Sequence, residues 1–129
     1  MVIDTSVIVA ILFDEPERDQ FSRLIDDAAS RLVSAVSRVE ASFVIEGRKR
    51  EVGRERLDRF FRLTGADIVS VTPEQAEIAV EAFRRFGKGR HPAALNIGDC
   101  FAYALAKATG EKLLFKGADF ARTDIVAAV

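Results

Sequence analysis

A chain of 129 residues, 49% of them hydrophobic, holds one ordinary soluble domain with enough apolar material for a core and leaves no room for a second. The formal charge of −1 averages acidic and basic segments and by itself names no partner. A single cysteine, Cys100, and a single histidine, His91, exclude an internal disulfide and a cysteine-rich zinc site, and point to a reducing cytoplasm.

Val2-Ile3 reads as a minimal strand, wholly apolar and therefore expected in the middle of a parallel sheet. Asp4-Thr5-Ser6 follows it and precedes the helical run Val7 to Phe13. All three residues can cap that helix by accepting hydrogen bonds from its free N–H groups. The end of a central strand in an open α/β sheet also projects its next residue, here Asp4, into the ligand crevice. The run Val7 to Phe13 lacks a basic leader, and no stretch is long enough to span a bilayer, so neither a signal peptide nor a membrane segment is expected. Asp14-Glu15-Pro16 starts a second helix, with Phe21, Leu24, Ile25 and Ala28 as its inward stripe.

Leu32-Val33 forms a second strand, and Ser34 or Ser37 can cap a helix from Val36 to about Arg48. On that helix Glu40 has Val36 four positions before it, Phe43 three after and Val44 four after, which puts a carboxylate on an apolar face. A buried carboxylate without a partner is costly or takes up a proton, so Glu40 needs either a salt bridge to an arginine or a shared acidic site. Between Arg48 and Arg62, Glu55 with Arg59 and Asp58 with Arg62 have helical spacing for exposed ion pairs. The adjacent Phe60-Phe61 can meet the core or a partner chain. Ile68 to Val71 is a third strand. Thr72 caps the next helix and Pro73 opens it, with Ile78, Val80, Ala82, Phe83 and Phe86 as its expected buried side. Arg84 to Pro92 is basic and free of acids, and reads as a flexible segment, either a solubilising loop or a mobile arm that holds a polyanion by phosphate contacts.

Leu95-Asn96-Ile97-Gly98-Asp99 leads into the block Cys100 to Ala106, which is apolar on every side and suits an enclosed helix that stops at Gly110. Leu113 to Phe115 reads as a buried strand opening onto Gly117-Ala118-Asp119. Taken singly, Asp99 suits the first turn of a helix and Asp119 can shape a turn. Together, Asp4, Glu40, Asp99 and Asp119 occupy strand ends and helix starts that a parallel topology brings to one rim. Carboxylates so gathered repel by about 1 to 4 kcal/mol per close pair. A positive charge must offset this, and hard oxygen ligands favour magnesium or manganese over zinc. Such a site suits phosphodiester hydrolysis. There is no G-x-G-x-x-G and no Walker loop, and a Ser-His-Asp device would have only His91 to use.

Asp4-Thr5-Ser6 after an apolar strand, Glu40 on the third helix, Leu95 to Cys100 and Leu114-Phe115-Lys116-Gly117-Ala118-Asp119-Phe120 closely resemble the PIN-domain ribonucleases, and among them the VapC-type toxins of bacterial toxin–antitoxin pairs. The resemblance covers the whole chain as a single PIN domain, residues 1–129. It implies a three-layer α/β/α fold, a central parallel sheet flanked by helices. It also implies a metal-dependent endoribonuclease that hydrolyses RNA phosphodiester bonds, often in transfer or ribosomal RNA. By this likeness Asp4, Glu40 and Asp99 match the core acids that hold Mg2+ or Mn2+, and Asp119 a fourth, less uniform one. Thr5 or Ser6 matches a hydroxyl that helps hold metal or water, Asn96 a polar residue near the pocket, and Thr123-Asp124 a further polar pair with Asp124 as the supporting candidate. Lys88 and Arg90 in the basic segment would be RNA contacts. The family further implies a homodimer and a VapB-type antitoxin that wraps the toxin and blocks the acidic pocket, for which the apolar surplus around Phe43, Phe60 and Phe61 is compatible with a groove. Ala118 departs from the polar residue that relatives often carry there. The alternative from another class is a phosphoacceptor domain similar to a response-regulator receiver, with an acidic magnesium pocket and Lys116 as its lysine. Against it, Asp4 lacks a paired acid and Val71 leads to Thr72-Pro73 rather than to a phosphoacceptor aspartate.

Overall fold

Four very short parallel strands organise the computed structural model, which describes residues 1–129. They are β1 (Val2–Ile3), β2 (Leu32–Ser34), β3 (Asp67–Val69) and β4 (Leu113–Leu114), in the spatial order β3-β2-β1-β4. β1 is interior, as its apolar pair predicts: Val2 stands opposite Leu32 on one side and Leu113 on the other. Strands this short hold together because both faces are covered, which is the usual condition of a parallel sheet. Side chains alternate between the faces. Val2 and Leu113 join the core under α4 (Pro73–Phe86) and α5 (Ile97–Thr109). Ile3, Val33 and Leu114 join the core under α1 (Thr5–Leu12), α2 (Arg18–Asp27) and α3 (Ala35–Thr64).

α5 is the enclosed helix that its composition predicts: Gly98, Cys100 and every residue from Ala102 to Ala106 are buried. It ends at Gly110, whose φ of 71° a side-chain-bearing residue adopts only with strain. The last segment returns to the sheet beside β4, with Leu113 N donating to Val126 O at 2.9 Å. No helix is long and apolar enough to cross a membrane.

The first arm of α3 ends where the helix breaks at Arg50, with φ 55° and ψ −134°, close to the expected end near Arg48, and the chain then folds back on itself. Three expectations are corrected. With the arms folded back, Arg38 on the first reaches Asp58 on the second at 3.5 Å and lies over the Phe61 ring at 5.1 Å from its centroid. That contact replaces the predicted Asp58–Arg62 pair, and Glu55 and Arg59 form no ion pair either. Phe60 enters the core, with Phe61 against its edge at 5.4 Å. α4 buries the narrow stripe Gln75, Ala79, Ala82 and Phe86, so Val80 and Phe83 stay exposed. The small residues of that stripe let α4 approach α5 closely, and Val80 falls one position off it. The basic segment after α4 is a folded loop rather than an arm. Lys88 N donates to Leu95 O and Leu95 N to Phe86 O, both at 2.9 Å, His91 N donates to Gly87 O at 3.1 Å, and Arg122 donates to Pro92 O at 3.0 Å. Its backbone groups find partners within the fold, so the segment has no reason to extend into solvent.

The fold-back of α3 gives a test of packing. A Cβ at Gly53 would come within 2.7 Å of Ile45 O on the opposite arm. Gly53→Ala should therefore destabilise the protein by about 1–3 kcal/mol in denaturant melts; unchanged stability would show that the arms do not meet there.

Candidate metal centre

Asp4 leaves the carboxyl end of β1 and caps α1. Its Oδ2 accepts hydrogen bonds from Ser6 N at 3.0 Å and Ser6 Oγ at 2.6 Å. The side chain is enclosed, with the residue 4% exposed, and Oδ1 is buried with no hydrogen-bond partner. Burial raises the Asp4 pKa above its ordinary value, the Ser6 bonds work against this, and the Glu40 charge adds to the rise. The Ser6 hydroxyl in turn accepts from Lys116 N at 2.9 Å. Thr5 faces elsewhere, donating from Oγ1 to Ser37 O at 3.4 Å. Of the two candidate hydroxyls, Ser6 is the one bound to the acid.

Asp99 sits in the first turn of α5 in a reciprocal cap. Its N–H donates to Asn96 Oδ1 at 2.9 Å, and its Oδ2 accepts from Asn96 N at 3.0 Å. Its carboxyl pKa is pushed up to about 6, chiefly by burial; the Asn96 bond opposes the shift, and the charges of Asp4, Glu40 and Asp119 reinforce it. Glu40 comes from the first arm of α3 and lies directly over Gly98, where a Cβ would stand 2.2 Å from Glu40 Oε2. Only glycine leaves room for that carboxylate beside the start of α5. Asp119 follows β4, leads the 3-10 turn Phe120–Arg122, is exposed and makes no capping hydrogen bond.

The four predicted acids thus share one rim, each near enough to be felt at Asp99. They form a loose array: no three histidine, cysteine or carboxylate side chains stand close enough to hold a metal ion together. Mutual repulsion and the capping duties of Asp4 and Asp99 both favour such spreading. The donor set nevertheless fits a hard divalent cation. It consists of carboxylate oxygens, and one of them, Asp4 Oδ1, is buried and lacks any partner.

Other candidates fall outside the array. Asp124 accepts from Tyr103 Oη at 2.7 Å and pairs with Lys107 at 3.1 Å and Arg85 at 3.5 Å, so it anchors the last segment to α4 and α5 and does not join the acids. Asn96 acts as the cap of α5. Lys88 is exposed and tied by its backbone to Leu95, just before that cap, while Arg90 lies over Phe83 at 5.1 Å. The apolar face expected to bury Glu40 is instead an open groove of about 470 Å³. Phe43 is 77% and Ile97 76% exposed along it. A further cavity of about 510 Å³, between α1, α2 and the second arm of α3, contains none of the four acids.

The raised pKa of Asp99 has a sign that can be checked. Between its ordinary 3.8 and about 6 the folded protein keeps a proton that the unfolded chain releases, so stability falls as pH rises through that window and then levels. Asp99→Asn can keep the cap while removing the titration. In chelator, its stability relative to wild type should increase from pH 4 to pH 7 by about 1 kcal/mol, the full shift being discounted for solvent screening. Parallel melting curves across that range would contradict the crowding of charge at Asp99.

Residues 1–126 match the PIN domain family. Ribonuclease VapC30 of Mycobacterium tuberculosis is 49% identical over 125 residues, covering 97% of this chain and 95% of the relative. Ribonuclease VapC of Mycolicibacterium smegmatis is 48% identical over 127 residues, covering 98% of each. The crystal structure of Mycobacterium tuberculosis VapC20, a sarcin-ricin loop cleaving toxin, superposes with a TM-score of 0.78 at 17% identity, over 97% of this chain and 95% of that one. VapBC2 from Rickettsia felis, solved bound to a DNA fragment from its promoter, superposes with a TM-score of 0.76 at 15% identity, over 98% and 94%. These two structures share the fold, a parallel sheet with helices on both faces. The chain belongs to the PIN domain family and, within it, to the VapC ribonucleases.

Proposed function

We propose that the protein is a Mg2+- or Mn2+-dependent endoribonuclease toxin that hydrolyses RNA phosphodiester bonds and is neutralised by a VapB-type antitoxin. One observation supports the metal-dependent part of this reading: Asp4 Oδ1 is buried and unpartnered in a side chain that feels the Glu40 charge and that, with Glu40 and Asp119, is felt at Asp99. Asp4, Glu40, Asp99 and Asp119 are the residues that would hold the ion. When bound, the ion supplies the positive charge that polarises a phosphate and acidifies an attacking water.

The chain's own contribution is orientation and proton handling. Ser6 fixes one oxygen of Asp4 and so aims the other. The Asn96 cap fixes Asp99 in the same way. Gly98 gives Glu40 its seat. Without metal the Asp99 carboxyl is held near 6, so near neutral pH a fraction of the molecules still carry a proton there, which Asp99 would release on binding a cation. Lys88 is an exposed cation whose backbone is fixed beside the start of α5, and it remains the candidate phosphate contact; Arg90 is the weaker one because its guanidinium already stacks on Phe83.

The antitoxin partner is supported by the solved neighbours, which include VapBC2 of Rickettsia felis and a toxin–antitoxin complex from Klebsiella pneumoniae. A homodimer is supported by Val39, Phe43 and Ile97, which are exposed side by side along the groove and would be covered by a second copy. Transfer or ribosomal RNA is the proposed substrate class, VapC20 being described as a sarcin-ricin loop cleaving toxin. Membership of the PIN family sets the receiver-like reading aside, and Lys116 is occupied by Glu15 and Glu17 rather than by a phosphoacceptor site.

Purified protein incubated with total RNA tests the reading. Cleavage should stop in chelator and return with Mg2+ or Mn2+, and Asp4→Asn should lower it by about 100-fold or more at unchanged fold. Cleavage that persists in chelator, or full activity in Asp4→Asn, would contradict it.

A further inference from the structure

Lys116 touches the acidic site through its main chain and a distant loop through its side chain. It follows β4 and precedes Gly117, whose φ of 99° turns the chain toward Asp119. Its N–H donates to Ser6 Oγ at 2.9 Å, and Ser6 Oγ donates to Asp4 Oδ2 at 2.6 Å. Its ammonium lies 2.9 Å from Glu15 Oε1, donating a hydrogen bond, and 3.0 Å from Glu17 Oε2 in an ion-pair contact whose geometry falls short of one. Both glutamates belong to the connection between α1 and α2. α1 itself begins at Asp4, so the contacts close a circuit: Asp4, α1, the two glutamates, Lys116, Ser6 and Asp4 again.

An isolated surface ion pair is worth little, because water and salt screen it and two flexible side chains must be ordered. This contact differs in three respects. The side chains are only about one-third exposed, at 34%, 31% and 36% for Lys116, Glu15 and Glu17. One ammonium serves two carboxylates, which hold it charged by raising its pKa. The segment it restrains carries both the donor to Ser6 and, three residues on, Asp119.

We propose that Lys116 is a positioning residue of the acidic site: clamped between Glu15 and Glu17, it fixes the main chain that holds Ser6 on Asp4 and sets where Asp119 begins. This rests on the metal-site reading above, and it concerns how the site is held rather than which acids form it. Lys116 touches no reacting atom in this role.

The test is Mn2+ affinity of the full chain by calorimetry, without RNA, for wild type, Lys116→Met, Lys116→Arg and the double variant Glu15→Gln with Glu17→Gln. Lys116→Met and the double variant should each bind Mn2+ about 10-fold more weakly, while Lys116→Arg, which can still bridge two carboxylates, should recover most of the loss. Melting temperatures in chelator should move by only a few degrees, which separates positioning from global stability. If Lys116→Met does not fold, the double variant decides the matter, since it keeps the lysine and removes the clamp. Wild-type affinity in the double variant would overturn the proposal, as would a loss confined to Lys116→Met, which would mean that the charge acts directly. If wild type itself binds no Mn2+, the metal-site reading fails and this inference falls with it.

Discussion

A carboxylate oxygen enclosed by protein and left without a hydrogen bond is unfavourable, and more so when other carboxylates surround it. Asp4 Oδ1 is such an atom, placed at the end of an interior strand of the sheet. The fold does nothing to relieve it. No arginine or lysine pairs with Asp4, although the chain carries 19 basic side chains, and the polar neighbour that does reach it, Ser6, occupies the other oxygen. The divalent cation proposed above would offset the charge around that oxygen.

Holding the arrangement against its own repulsion requires rigid supports, and they are local and inexpensive in residues. Asp4 caps α1 and Asp99 is the acidic partner in the Asn96 capping box, so the N–H groups that need acceptors at a helix start are the same groups that orient the acids. Glu40 is seated by the absence of a side chain at Gly98. α5, which carries Asp99 and Gly98, is enclosed by both the sheet and α4, and its alternation of alanine with larger residues lets those layers close over it. The core therefore determines the position of the rim, and the rim determines what chemistry is available.

Much of this was legible in the sequence because the determining signals were local. Two-residue apolar strands, the Asp4 cap and Gly110 all act within a few residues of where they are read. The end of the first arm of α3 was legible near Arg48, but the reversal at Arg50, a residue with no preference for positive φ, was not: it depends on the packing of two arms on each other. The same fold-back gives Asp58 to Arg38 instead of Arg62. Glu40 was singled out because helical periodicity placed it among apolar residues, yet those residues face an open groove. Periodicity finds a face without saying what covers it. The basic run after α4 looked flexible by composition, whereas its order comes from backbone bonds to Leu95, Phe86 and Gly87 that composition does not encode. Asp124 lies close in sequence to Asp119 but is drawn away by Tyr103, Lys107 and Arg85, a long-range choice among partners.

The most direct measurement is a crystal structure grown with Mn2+ and read by anomalous scattering, which locates the ion independently of any activity. The account predicts a single strong peak about 2.0–2.4 Å from Asp4 Oδ1, with Glu40, Asp99 or Asp119 drawn in to complete the coordination. Saturating Mn2+ that leaves Asp4 Oδ1 without a metal contact, or that binds only on another face, would contradict it.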